Sequence, residues 1–83
     1  MEDVLEKIKV NVEDALKEKN ISVTNISYRK EGKNNFLEIE LDQDGGMDLD
    51  SIVDATGIIN PIIDKLDLID DSYILDIVSK ERG

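Results

Sequence analysis

The sequence predicts an α+β fold: a two-layer domain of order helix–strand–strand–helix–strand, with both helices packed on one face of a small sheet. Three observations carry this. Apolar residues recur at three-to-four spacing in two segments. β-branched and alternating residues fill three others. The 83 residues suffice for one domain, spanning 1–83, with a single two-layer core, since a chain of this length buries only about 60–65% of its unfolded surface.

The first helix is expected over residues 2–19. Val4, Leu5, Ile8, Val12, Ala15 and Leu16 form one apolar stripe. Glu2, Asp3 and Glu6 come early and Lys17 and Lys19 late, which suits the helix dipole. Asn20 follows as a C-terminal cap.

Residues 21–30 read as a strand, rich in β-branched side chains. Ile21 and Val23 share one phase, whereas Ile26 and Tyr28 share the other. The slip predicts a bulge or an irregular start. The sequence from Glu31 to Asn35, with Gly32 and two asparagines, predicts a hairpin loop. The second strand, 36–42, alternates cleanly. Leu37, Ile39 and Leu41 face one side, and Glu38, Glu40 and Asp42 the other.

The second helix is expected from Leu49 to about Leu66, with Leu49, Ile52, Val53, Thr56, Ile59 and Ile63 as its apolar stripe. Gly57 and Pro61 disturb it, and Asn60-Pro61 reads as an N-cap followed by Pro at a first helical position. A kink near residues 57–61, or a break into two shorter helices, is the expectation. Residues 73–78 form the last strand. The expected core is Leu5, Ile8, Val12, Leu16, Val23, Ile26, Leu37, Ile39, Leu41, Ile52, Ile59, Ile63, Leu75 and Ile77.

Composition narrows the chemistry. With no His and no Cys, the side chain best suited to proton transfer near neutral pH and the thiolate are both missing. The expectation is a non-catalytic domain without a cofactor, a metal or a small-molecule substrate. No apolar run approaches the roughly 18 residues of a membrane span, and the acidic N-terminus has no signal-peptide pattern, so a cytoplasmic location is expected.

The net charge is −10 and unevenly placed. Residues 35–72 carry eleven acids against Lys65, while residues 20–34 carry Arg29, Lys30 and Lys33 against Glu31. Nucleic acid is gripped by clustered cations, so this field favours a basic protein partner instead. Candidate partner-binding residues are Glu38, Glu40, Asp42, Asp44, Asp48 and Asp50.

The stretch Leu41–Asp50 holds four aspartates and a Gly-Gly pair. It does not match a calcium loop. Counting from Asp42 puts Met47 where the loop needs Gly and Val53 where it needs Glu, and counting from Asp44 puts Leu49 at the Gly position. A turn and helix cap explain it better. Gly45 and Gly46 permit positive φ, Asp48 accepts a backbone hydrogen bond at the helix start, and Asp50 sits at the positive end of the dipole.

Neither phosphate-binding glycine pattern occurs. The element order is that of the KH class of RNA binders, but their G-x-x-G clamp is absent. The alternative to a protein-binding role is a stand-alone KH-like RNA-binding module using Tyr28, Arg29, Lys30 and Lys33. Tyr28 and Phe36 could stack bases, although packing is the commoner use of such residues. Paired carboxylates acting as an enzyme are a third reading, with no cleft to favour it.

Several stretches together resemble the N-terminal domain of bacterial ribosome maturation factor P. They are Ile26-Ser27-Tyr28, Lys30-Glu31-Gly32, Asp42, Gly45-Gly46-Met47, Leu49-Asp50 and Tyr73-Ile74-Leu75-Asp76-Ile77. The resemblance covers residues 2–78. It implies a factor assisting maturation of the small ribosomal subunit without catalysis, acting with a basic ribosomal protein, any contact with ribosomal RNA being secondary. Departures exist. Thr56-Gly57 stands where the family often has Ser-Arg, and Asp67-Leu68-Ile69-Asp70 replaces a proline-containing linker. Val78-Ser79-Lys80-Glu81 and then Arg82-Gly83 stand where the family continues toward a second, Sm-like barrel, so the expectation is a domain lacking that barrel.

Overall fold

Helix α1 (Glu2–Leu16) begins the chain in the computed structural model, which describes residues 1–80. Glu81, Arg82 and Gly83, the last of the departures from the family pattern, lie outside the described residues. The predicted helix tightens over its last turn. Lys17–Lys19 is 3-10, and Asn20 closes it in the left-handed region at φ 58°, its N–H donating to the Lys17 carbonyl. Strand β1 (Ile21–Glu31) and strand β2 (Asn34–Gln43) follow, then helix α2 (Leu49–Leu66) and strand β3 (Ile74–Ser79).

The predicted helix–strand–strand–helix–strand order is the observed one. The sheet order is β1-β2-β3, so β2 is central. β1 pairs with it antiparallel and β3 parallel. A parallel partner needs a crossover, and α2 supplies it.

The β1–β2 hairpin is tighter than the sequence suggests. Only Gly32 and Lys33 lie between the paired Glu31 and Asn34. Gly32 has φ +61° while Lys33 does not have positive φ, the pattern of a two-residue II′ turn that matches the strand twist. The expected phase slip is real. The register shifts between Val23 and Asn25, leaving Thr24 as the extra residue. That shift puts Val23 opposite Leu41, Ile26 opposite Ile39 and Tyr28 opposite Leu37, all on the helix-covered face.

The core lies between that face and the two helices. Ile8, Val12 and Leu16 of α1, Leu37, Ile39 and Leu41 of β2, and Ala55, Ile59 and Ile63 of α2 form one buried cluster with Ile21, Val23 and Ile69. Of the expected core, Leu5, Ile26, Leu75 and Ile77 are partly buried against it.

Helix α2 overturns the expected break and shifts the expected apolar stripe. It runs unbroken from Leu49 to Leu66 with Pro61 inside it. Pro61 removes one hydrogen bond, to the carbonyl of Gly57 four residues back. Both residues are exposed, so water reaches the freed carbonyl, while Ile59 and Ile63 hold the opposite side in the core. The buried stripe is also rotated from the one expected. It runs through Ala55, Ile59 and Ile63, with Ile58, Ile62 and Leu66 beside it. Leu49 and Val53 are outside it, and Ile52 is only half-buried. The α2 hydrophobics outnumber the positions one core can cover, and spacing alone cannot choose among them.

Two stability outcomes follow. Ile39→Ala, at a fully buried position of the central strand, is expected to cost about 2–5 kcal/mol in a urea titration. Gly57→Ala is expected to stabilise by about 0.5–1 kcal/mol in the same assay, because a Cβ there meets nothing within 4 Å and its φ is not positive.

Candidate functional site

The face of the sheet turned away from the helices is set by the same pleat. On β2 it carries Phe36, Glu38, Glu40 and Asp42, which alternate with the buried Leu37, Ile39 and Leu41. Strand pairing builds rows across it. Arg29, Phe36 and Ile74 are in line, then Ser27, Glu38 and Asp76, then Asn25, Glu40 and Val78, and finally Ser22 with Asp42. Glu38 and Asp76 are therefore like charges directly opposite each other on neighbouring strands, an arrangement that costs stability.

Strand pairing brings the cation Arg29 to this face. Its Nη1 lies 3.4 Å from Glu38 Oε1, and its Nε donates to Glu31 Oε1 at 3.1 Å. The guanidinium also sits 5.3 Å from the centroid of the Phe36 ring. The hydrogen bond to Glu31 first, then the fields of Glu31, Glu38 and Asp76, hold its pKa above the ordinary arginine value. Glu40 is engaged differently, by Thr24 at the bulge, whose Oγ1 lies 2.7 Å from the carboxylate.

Tyr28 is on the other face. It packs against the core with its hydroxyl enclosed and without a hydrogen-bond partner. Tyr28 and Phe36 thus point to opposite sides of the sheet and form no common stacking platform. Lys30 and Lys33 are exposed at the hairpin end, and Arg29 is occupied by its two carboxylates.

The junction of β2 and α2 is a turn and a cap. Gly46 N–H donates to the Gln43 carbonyl at 2.8 Å, with Gly45 at φ +85° and Gly46 at φ +89°. Gln43 Nε2 donates to the Lys19 carbonyl, tying the turn to the end of the first helix. Asp48 is the N-cap, its Oδ1 accepting from the Ser51 N–H at 2.8 Å. That backbone hydrogen bond, then the Ser51 hydroxyl, lowers the Asp48 pKa below the ordinary carboxylate value.

The six acidic candidates therefore divide between two surfaces. Glu38, Glu40 and Asp42 lie on the open sheet face, while Asp48 and Asp50 lie at the start of α2 in the helical layer, with Asp44 in the exposed turn between them. The sequence reading did not include Asp76. It falls in the expected last strand, and only the parallel register sets it beside Glu38. Among the described residues, no group of three or more His, Cys, Asp or Glu comes together to hold a metal ion. No helix of the described residues is long and apolar enough to cross a membrane.

Two outcomes test this geometry. Asp76→Asn is expected to raise stability by a few tenths of a kcal/mol at low salt, with the gain shrinking at high salt. Asp48→Ala is expected to lower the melting temperature at neutral pH, and Asp48→Asn, which keeps an accepting oxygen without the charge, to lower it less. The folded-state pKa of Asp48 is depressed, so its contribution is present above the ordinary aspartate value and lost as pH falls through the lower, folded one. The gap between native chain and Asp48→Ala should accordingly close in acid, as pH falls through and below the ordinary aspartate range. A gap that persists there would show that the carboxylate charge is immaterial to the cap.

The order that the sequence resemblance implied is present: the second strand runs into the Gly45-Gly46 turn, the turn opens the second helix, and a last strand follows. Residues 11–80 match the family model described as the RimP N-terminal domain. That match takes in both sheet-face and helix-start carboxylates, the hairpin and all three strands. The chain belongs to the RimP N-terminal domain family, and with that membership comes a role in ribosome maturation and association with the small ribosomal subunit.

Proposed function

We propose that this domain is a non-catalytic assembly factor of the cytoplasm that engages a basic ribosomal protein while the small subunit matures. The observation that supports this reading is the excess of carboxylates over cations along residues 35–72, eleven acids against Lys65. Glu38 and Asp76 are like charges on adjacent strands, Glu40 extends the same face, and Arg29 pairs with Glu38 among them. A chain stabilised only for itself gains nothing from that arrangement. A cationic partner turns it into charge complementarity, which speeds encounter and selects the partner.

Glu38, Glu40 and Asp42 steer from the sheet face, and Asp44, Asp48 and Asp50 from the turn and helix start. Charge-assisted hydrogen bonds to Lys and Arg form as the partner settles. The mechanism is holding, with no bond made or broken: the domain shields a basic segment until its binding site on the subunit is ready.

The test is retention of small-subunit proteins and ribosomal RNA on the immobilised chain at low and moderate salt. It is compared with a variant in which Glu38, Glu40, Asp42, Asp44 and Asp50 are neutralised to Gln or Asn and which circular dichroism shows to be folded. The native chain is expected to retain a basic ribosomal protein, and the variant to lose it. Binding should weaken as salt rises, since exposed charges are screened over about 8–10 Å. Equal retention by both would sink the proposal. Retention of RNA alone, unaffected by neutralisation, would favour the hairpin cations Lys30 and Lys33 instead.

A further inference from the structure

Charge alone gives steering rather than tight binding, and an interface needs a desolvated apolar centre. The first turns of α2 carry one. Leu49, Val53, Gly57 and Pro61 recur four residues apart and are all exposed. Leu49 keeps 75% and Val53 60% of its surface in water, the two most exposed large hydrophobics of the chain's described residues. Helical spacing places this row opposite Ala55 and Ile59, which are fully buried. No element of the described fold covers it.

Gly57 adds an independent observation. A helical glycine costs about 1 kcal/mol relative to alanine, and here the chain gains nothing for it. Its φ is not positive, and a Cβ would meet open space. A glycine in the middle of an exposed ridge does let another backbone approach closely.

The rim of the ridge is acidic. Asp50 and Asp54 form the adjacent four-residue row, Asp48 caps the helix, and Asp64 lies beyond Asn60. A second copy of this chain, net −10, would bring the same aspartates against them. The occupant must be cationic. A row at four-residue spacing fits the groove between rows of another helix.

We propose that the Leu49–Val53–Gly57 ridge of α2 docks an amphipathic basic helix of a partner protein, apolar side chains packing on the ridge and Lys or Arg pairing with Asp48, Asp50 and Asp54. This deepens the assembly-factor reading, on which it rests for the identity of the partner as a basic ribosomal protein. It assigns anchoring to the helical layer and leaves steering to the sheet face.

The experiment is an amide-resolved NMR titration of the chain with a synthetic helix of Leu and Lys at amphipathic spacing, and with a scrambled peptide of equal composition. Shifts are expected to cluster at residues 49–60 for the first peptide only. Leu49→Ser with Val53→Ser should weaken binding by about tenfold or more with helicity unchanged, since both positions are exposed. Gly57→Gln should weaken binding while raising the melting temperature, a combination that loss of folding cannot produce. Shifts confined to the sheet face, equal binding of the scrambled peptide, or variants that bind like the native chain would overturn the ridge. So would concentration-dependent shifts at residues 49–60 without peptide, which would make a second copy the occupant. The same variants, applied to small-subunit proteins, separate the two claims. Retention that is indifferent to Leu49→Ser/Val53→Ser removes the ridge alone. Peptide binding at the ridge with no ribosomal protein retained removes the functional reading alone.

Discussion

The pleat of β2 commits each of its residues to one of two sides, and both surfaces of the domain follow from that commitment. Leu37, Ile39 and Leu41 are fully buried beneath the helices. Phe36, Glu38, Glu40 and Asp42 are therefore turned to the open face. Because β2 is central, β1 and β3 inherit its phase. A shift of one residue would bring the carboxylates under α1 and α2, where burying unpaired charge is prohibitive. The hydrophobic layer and the acidic layer thus enforce one register between them. The Thr24 bulge belongs to the same solution, since it lets Val23 and Ile26 both reach the covered face.

The passage from β2 into α2 links that sheet to the helical layer. Gly45 and Gly46 take backbone angles that other residues rarely adopt, and Asp48 satisfies an amide that would otherwise be unpaired. From there α2 must cross the sheet to let β3 run parallel to β2. That crossing keeps it helical through Gly57 and Pro61. Its inner side packs into the core while its outer side is left with Leu49, Val53 and Gly57. The glycine and proline that weaken the helix sit on the side where water, or a partner, can meet the backbone.

The two acidic surfaces have different physical characters. The sheet face is flat, with Arg29 stacked near Phe36 and holding Glu38, and its carboxylates act over distance. The α2 surface is a convex apolar ridge with an acidic rim, where burial can contribute as well as charge. The family assignment gives ribosome maturation as the setting. The division of carboxylates between the two surfaces is the basis on which we propose two separable contributions within that setting, encounter and anchoring.

The order of elements, the turn at Gly45-Gly46, the Asp48 cap, the Asn20 terminus and the phase slip in β1 were legible in the sequence. Each depends on local chemistry: backbone angles that glycine and asparagine tolerate, a carboxylate three residues before an amide, or a period of two or 3.6. The ordered motifs from Ile26 to Ile77 also carried the family. Three features were decided only in three dimensions. The parallel register set Asp76 beside Glu38, because strand pairing joins residues far apart in the chain. The buried side of α2 fell on Ala55, Ile59 and Ile63 instead of Leu49 and Val53, because a sequence with apolar residues on several sides of a helix does not say which side meets the sheet. The helix survived Pro61 because tertiary packing of its inner side outweighs one lost hydrogen bond on its outer side. Local signals thus determined what the pieces are, and packing against β2 decided which of their faces are left for a partner.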